Sequence, residues 1–494
     1  MKLTVSGDIN TFYVQTLCMI FFPGEKFTEE QIITEDTPVM EVTVNNSVTG
    51  SYAKAKLTYQ GKTAEAEKTV DFVPEVTKLR TAKIAAGNVV LAVGSEILGY
   101  RPSWGMLTGV RPSKVAMEML LNGNTKAKVR KILNNDYFVI PKKAALATDI
   151  ARREQKIMGN PNVSDCSIYI SIPFCPSRCS YCSFVSYTTP KLLSLIPTYL
   201  EKLCAELSTL LDTVNELKLN LKTVYIGGGT PTILNEAQLE KLLSLIDSKI
   251  DVNSLEEFTL EGGRPDTITA EKLAVAKKYG ITRISVNPQS LNEQVIKSIG
   301  RSHSIDEFYR AFDAAKNSGI KCINTDLIAG LPGDNFKYFS STFDKIIALE
   351  PENITVHTFC VKKAADILAQ NQSIYSIRGG DVGKCIDYSQ LRAQAAGYVP
   401  YYMYRQKNTV GNFENVGFSF EGMEGLYNIY MMEEVHTILS VGAGAVTKLV
   451  EYYPANIAKT KIIRHFNPKY PYEYLDDNKA VTIIDEIKRF YECH

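Results

Sequence analysis

Ile172-Pro173-Phe174-Cys175-Pro176-Ser177-Arg178-Cys179-Ser180-Tyr181-Cys182 packs three of the chain's ten cysteines into eight positions. The spacing is Cys-x3-Cys-x2-Cys. Thiolates this close on one loop can converge on an iron–sulfur cluster. Three ligands on a four-iron cluster leave one iron open to an exogenous ligand. A structural zinc site wants four protein ligands, and no fourth Cys or His stands nearby in the sequence. Three incidental thiols are the plain alternative. The other seven cysteines, Cys18, Cys166, Cys204, Cys322, Cys360, Cys385 and Cys493, are scattered singly. They read as buried thiols.

The loop follows a β-rich run at 166–172. From there strands and helices alternate. Further strands are expected at 223–226, 257–260, 282–286, 322–328 and 354–359. Helices are expected near 191–216, 235–247, 270–279, 291–299, 305–318 and 336–349. Six such units in a row imply a parallel sheet. Six are too few for a closed eightfold barrel, so a partial, open barrel is expected. The fold class is therefore α/β, a partial (β/α)6 barrel over 159–380. It is preceded by an α+β extension over 1–158, strand-like to about 75 and helical after it. A Tyr-rich, mostly helical segment follows over 381–494 and is expected to cover the substrate.

The 494 residues carry a net charge of +1, so global charge points to no nucleic-acid partner. Residues 1–10 lack the charged-then-apolar pattern of a secretory signal. No apolar run reads as long enough to cross a bilayer, and a cytoplasmic location is expected. Residues 110–156 hold eleven Lys or Arg against four Asp or Glu. That face is either solvated helix surface or a docking surface for an anionic partner.

In parallel barrels, active sites gather where strands end. The unusual residues of this chain fall there. The second strand runs into Gly227-Gly228-Gly229-Thr230-Pro231-Thr232, where backbone can approach a ligand and present N–H donors. No Lys-Ser or Lys-Thr follows, which excludes a nucleotide P-loop. The third strand ends at Glu261-Gly262-Gly263-Arg264, and such a carboxylate can pair with an ammonium group. The fourth carries Arg283 and Ser285 toward Gln289, with Arg301 and His303 beyond. The fifth contains Asp326, expensive in an apolar strand unless it is partnered. The sixth delivers His357 and Thr358. Taken singly, each of these could be a packing or surface residue, and His357 reads as structural.

Together, Cys-x3-Cys-x2-Cys, Gly-Gly-Gly-Thr-Pro, Gln289 with Arg301, and Asp326-Leu-Ile-x-Gly-Leu-Pro resemble the radical S-adenosylmethionine superfamily over about 166–360. More narrowly the chain resembles its oxygen-independent coproporphyrinogen III oxidase (dehydrogenase) group. Leu107-Thr108-Gly109-Val110-Arg111-Pro112, Tyr404-Arg405-Gln406-Lys407-Asn408, Asn415-Val416-Gly417 and Gly442-Ala443-Gly444-Ala445-Val446 are similar to the HemZ branch. The resemblance implies a [4Fe-4S] cluster on Cys175, Cys179 and Cys182, its open iron chelated by S-adenosylmethionine. It implies cofactor contacts from Tyr169, Gly228, Gly229, Thr230, Glu261, Gln289, Arg301 and Asp326, with Tyr169, Glu261 and Gln289 as the catalytic set. Glu suits an ammonium, Arg a carboxylate and Asp ribose hydroxyls.

The chain departs from the group's pattern in places. The coproporphyrinogen enzyme's fourth Cys is Phe184 here, as in the haem-chaperone branch. That branch's His-Asn-x-x-Tyr-Trp motif is absent, the nearest match being Tyr427-Asn428-Ile429-Tyr430. Tyr169-Ile170-Ser171-Ile172-Pro173 lacks the usual His, and Glu261-Gly262-Gly263-Arg264-Pro265 replaces Glu-Ala-Asn-Pro.

The implied activity is oxidative decarboxylation of coproporphyrinogen III propionates to vinyls, giving protoporphyrinogen IX. The implied partners are that tetrapyrrole and a flavodoxin- or ferredoxin-type electron donor. Arg264, Arg301 and the basic 110–156 region, with Arg111 and Lys114, are candidate anchors for the substrate carboxylates. The alternatives are a radical methyltransferase or ring-opening enzyme acting on haem-type tetrapyrroles, and a non-catalytic haem chaperone.

Overall fold

The computed structural model describes residues 1–27, 33–73, 76–109, 111–182, 186–360, 380–406, 409–453, 460–476 and 479–492. The chain divides into two compact units. One comprises 1–152, 372–383 and 403–414; the other comprises 153–371, 384–402 and 415–494. The residues after 380 are thus shared between the units rather than forming a third.

The first unit opens with β1 (Lys2–Gly7), α1 (Thr11–Phe21), β2 (Val39–Asn46), β3 (Gly50–Tyr59) and β4 (Lys62–Asp71). Helices α2 (Lys78–Leu98), α3 (Pro112–Leu121), α4 (Lys126–Asn135) and α5 (Pro141–Met158) follow. The sheet order is β1-β2-β3-β4, with β1 and β2 parallel and the two later pairs antiparallel. The β3–β4 hairpin turns on Gln60-Gly61, both at positive φ (49° and 72°), the conformation a two-residue hairpin needs. Helix α1 interrupts the stretch expected to be all strand. Val14, Leu17, Cys18 and Phe21 are buried at helical spacing, and the Asn10 side chain accepts from the Tyr13 N–H. That period outweighs the alternation around it.

Helix α2 corrects one expectation. It is long and apolar enough to cross a bilayer, but two thirds of its apolar window is buried. It packs on β3 and β4, as a core helix does.

The basic stretch is partly spent within this unit. Lys126 and Arg130 both pair with Asp149. Lys143 is fully buried and donates to Glu414 at 2.5 Å. The other Glu414 oxygen accepts from Trp104 Nε1 at 2.7 Å. Burial alone would raise the Glu414 carboxyl; Lys143 and Trp104 outweigh it and hold the carboxyl below its ordinary range.

The second unit continues with β5 (Asp165–Ile172), α6 (Pro190–Leu193), α7 (Ile196–Glu216), β6 (Asn220–Gly228), α8 (Glu236–Lys249), β7 (Glu257–Leu260), α9 (Ala270–Lys278), β8 (Arg283–Ser285), α10 (Glu293–Ser298), α11 (Ile305–Asn317), β9 (Cys322–Ala329), α12 (Phe336–Ala348) and β10 (Asn353–Thr358). All six expected strands form, each close to its expected bounds. The C-terminal part adds α13 (Asp381–Ala395), β11 (Val399–Tyr404), β12 (Asn415–Ser419), α14 (Leu426–Glu433), β13 (Thr437–Val441), β14 (Val446–Glu451), β15 (Lys461–Phe466), α15 (Pro471–Asp476) and α16 (Lys479–Glu492). This part is richer in helix than in strand, yet it gives the sheet five strands that the sequence reading did not separate.

The sheet is open, in the order β11-β12-β10-β9-β8-β7-β6-β5-β13-β14-β15. Seven strands, β10 through β13 in that order, run parallel. Side chains alternate between the faces of each strand. In β5, Ile168, Ile170 and Ile172 alternate with Ser167, Tyr169 and Ser171. In-register pairing carries the polar face across the sheet, through Tyr225, Thr259 and Arg283 to Asn324, Asp326, Thr355 and His357.

Buried Glu257 on this face accepts from Arg283 Nε at 3.0 Å and from the Leu426 and Tyr427 N–H groups that begin α14. An anion at a helix N-terminus is favourable. Arg283 in turn donates to the Met423 and Glu424 carbonyls, so the pair holds α14 to the sheet.

Removing one partner of a buried ion pair strands the other. Glu414→Ala is therefore expected to destabilise the first unit by about 3–5 kcal/mol. The check is a denaturant midpoint followed through the fluorescence of Trp104, the chain's one tryptophan.

Candidate active site at the strand ends

The cysteine loop leaves β5 where the glycine turn leaves β6. Gly229 N–H donates to Ile172 O and Thr230 N–H to Phe174 O, both at 2.8 Å. A Cβ on Gly229 would stand 2.6 Å from Phe174 O and 3.0 Å from Cys175 Sγ. Only glycine permits this approach. Gly228 has φ 111°, in the region that favours glycine. The Thr230 hydroxyl then reaches Cys175 Sγ at 3.3 Å.

Cys175 is buried, and Cys179 and Cys182 are half-buried. Burial pushes the Cys175 thiol up to about 11, with Thr230 opposing. The other two thiols lie close enough to raise it further. A metal centre is what would convert such a thiol to the thiolate. Among the described residues, no three ligating side chains already form a closed metal cage.

The loop is fastened from two sides. Buried Arg264 donates to Ser177 O and Oγ, at 3.2 and 2.7 Å, while pairing with Asp266 and reaching Ser302 Oγ. Its donors are thus shared among Ser177 of the loop, Asp266 and Ser302. Arg301 donates to the Tyr181 hydroxyl at 3.1 Å, to Asn287 O at 2.6 Å and to Gly263 O at 3.3 Å. Its Nε is buried with no hydrogen-bond partner.

Glu261 follows β7. A Cβ on Gly227 would lie 2.8 Å from its Oε2. Burial, then the charge of Asp326, raise its carboxyl to about 8, with the Gly228 N–H opposing. Such a carboxylate gains most from a bound cation. Gln289 has φ 65°, a strained conformation for a side-chain-bearing residue. Two backbone bonds to β9 hold it there, to Asp326 O and from Ile328 N–H. Its Oε1 is buried and unpartnered.

Asp326 is half-buried. Burial would raise its carboxyl, but His357, Asn324 and Thr355 outweigh that and lower it. Tyr169, Tyr225 and Tyr427 stack side by side, with ring centroids 4.6–6.1 Å apart.

The sequence-predicted residues therefore meet along one polar face and its strand ends. A buried carboxyl raised by its surroundings, an unpaired amide oxygen and a guanidinium with a spare N–H suit a ligand carrying both an ammonium and a carboxylate. His303 is buried with neither ring nitrogen partnered. Burial and the charge of Arg301 lower it to about 4, so it is neutral at pH 7. Sequence reasoning missed Asn287, Tyr225 and Tyr427, and it set His357 aside although its Nε2 lies 3.7 Å from Asp326 Oδ2. The strand-end rule would have found Asn287. Phe184, Val110, Lys407, Asn408 and Cys493 lie outside the described residues. Of the other scattered cysteines, Cys204 is half-buried and the rest are buried.

This parallel sheet with a three-cysteine loop at its mouth defines a radical S-adenosylmethionine protein. Residues 169–346 match the Radical SAM superfamily, whose members bind a [4Fe-4S] cluster and S-adenosylmethionine. The chain is 36% identical over 476 residues to the oxygen-independent coproporphyrinogen-III oxidase-like protein HemZ of Bacillus subtilis, covering 94% of this chain and 91% of that one. The chain belongs to this HemZ-like family. It is also 34% identical over 197 residues to the heme chaperone HemW of the same organism, covering 40% of this chain and 51% of HemW. Among solved structures, coproporphyrinogen III oxidase (HemN) of Escherichia coli is similar at 19% identity with a TM-score of 0.49, over 65% of this chain and 70% of that one.

The raised Glu261 carboxyl carries a signed consequence. The folded protein keeps this proton up to about pH 8, whereas the unfolded chain releases it near pH 4.3. Stability is therefore lost as pH rises between those values. Glu261→Gln is expected to raise the melting temperature of the ligand-free protein above pH 8, with the advantage vanishing below about pH 4.5. Melting curves across that range check it.

Proposed function

We propose that this chain is a cytoplasmic radical S-adenosylmethionine enzyme that decarboxylates coproporphyrinogen III propionates oxidatively to vinyls, giving protoporphyrinogen IX. One observation carries the reading. The cysteine loop, its glycine cradle, the raised carboxyl of Glu261 and the unpaired atoms of Gln289 and Arg301 share one strand-end site, in a chain similar over nearly its whole length to an oxidase-like relative.

Cys175, Cys179 and Cys182 hold the cluster. The Thr230 hydroxyl donates to the Cys175 sulfur and favours its thiolate. Gly228 and Gly229 let backbone N–H groups approach the methionine end of the cofactor. Glu261 receives its ammonium group, Arg301 its carboxylate and Asp326 its ribose hydroxyls. Tyr169, Glu261 and Gln289 line the reacting centre. When bound, the cluster and S-adenosylmethionine would supply the radical chemistry, with one electron from a flavodoxin- or ferredoxin-type donor; the propionate would give up a hydrogen atom, carbon dioxide and one electron, the last to an acceptor, to become the vinyl.

The test is anaerobic cluster reconstitution followed by incubation with S-adenosylmethionine, reductant and coproporphyrinogen III. Vinyl product and 5′-deoxyadenosine should appear together and only with that substrate. Cys175→Ala, Cys179→Ala and Cys182→Ala should each lower bound iron and sulfide and abolish turnover, while Cys204→Ala leaves both unchanged. 5′-Deoxyadenosine formed only with haem would point instead to haem-directed radical chemistry. Stable haem binding without turnover would point to a chaperone.

A further inference from the structure

Asn287 lies just beyond β8 and is buried. Its side-chain oxygen accepts the Asp326 backbone N–H at 3.0 Å, and its amide nitrogen donates to Asp326 Oδ2 at 2.8 Å. The backbone N–H can only donate, so the amide's orientation is fixed, with its NH2 toward the carboxylate. A second amide, Asn324, donates to Asp326 Oδ1 at 2.8 Å. The backbone oxygen of the same Asn287 accepts Arg301 Nη1 at 2.6 Å. One residue thus touches both an anion and a cation of the site.

We infer that Asn287 is a positioning residue that sets the Asp326 carboxylate and the Arg301 guanidinium at a fixed separation, so that both ends of one S-adenosylmethionine are gripped together. This rests on the reading above that Asp326 and Arg301 contact that cofactor. The amide suits the task because it satisfies a donor and an acceptor of the same residue at once. Asp, its isostere, would keep the bond from the backbone N–H but set a second carboxylate against Asp326. Two carboxylates at hydrogen-bond distance share one proton, and the pair grips normally only while protonated. Ala would lose both bonds at every pH.

The test is calorimetric binding of S-adenosylmethionine to the anaerobically reconstituted protein between pH 6.5 and 8.5. Asn287→Ala should weaken binding about 10- to 100-fold throughout, the cost of hydrogen bonds to a charged group. Asn287→Asp should be weakened similarly at pH 8.5 and recover toward wild type at pH 6.5. His357, Glu261 and Tyr225 also lie within electrostatic reach of Asp326, so the wild type titrated in parallel supplies the baseline. In an Asp326→Ala background, Asn287→Ala should cost little more, because coupled residues are not additive.

Wild-type affinity in both single variants would overturn the inference. So would additive losses, or an Asn287→Asp defect that does not recover at low pH. A wild type that binds no S-adenosylmethionine would overturn the underlying reading instead.

Discussion

The mouth of the sheet depends on how closely the end of β6 approaches the cysteine loop. Parallel pairing brings Ile172 opposite Gly228, and the Gly229 and Thr230 N–H groups then donate to Ile172 O and Phe174 O. Any Cβ at position 229 would overlap Phe174 O. The absence of a side chain therefore does the positioning. It lets Thr230 turn inward to the Cys175 sulfur and sets the loop's direction over the polar face. Arg264 and Arg301 then fix the far side of the same loop, at Ser177 and Tyr181.

The polar groups of the second unit divide into two kinds. Arg283 with Glu257, and Arg264 with Asp266, are buried or nearly so, and each charge is answered by a partner and by backbone. Such pairs hold segments in place without adding much net stability. Gln289 Oε1, Arg301 Nε and both His303 nitrogens are buried and unanswered. Leaving such groups unpaired costs about 1–3 kcal/mol each. A fold carries that cost where a ligand can repay it, and these atoms lie among the strand ends that bear the cysteines.

Much of this was legible in the sequence because strand period and strand-end chemistry are local properties. The six strand–helix units, the cysteine loop, Glu261, Gln289, Arg301 and Asp326 could be placed without coordinates. The strands β11 to β15 could not, because what makes 437–441 a parallel strand is its pairing with β5, far away in sequence. The same limit hid the role of Arg264, which reads as a free cation until Ser177 and Ser302 are seen beside it. It also hid Lys143, counted with a basic surface although Glu414 buries it. Helix α1 was overlooked for another reason. Its four buried residues show a helical period only when the surrounding alternation is set aside.

The two fastenings of the cysteine loop also bear on the order of assembly. Arg264 and Arg301 lie about 90 and 120 residues downstream of the loop they hold, and β5 gains its outer neighbour only when residues 437–441 join it. During synthesis the three thiols emerge well before Arg264, Arg301 and residues 437–441 can complete their surroundings. Contacts this distant in sequence form late. The geometry that gathers the three thiols is thereby complete only once residues 437–441 have joined the sheet.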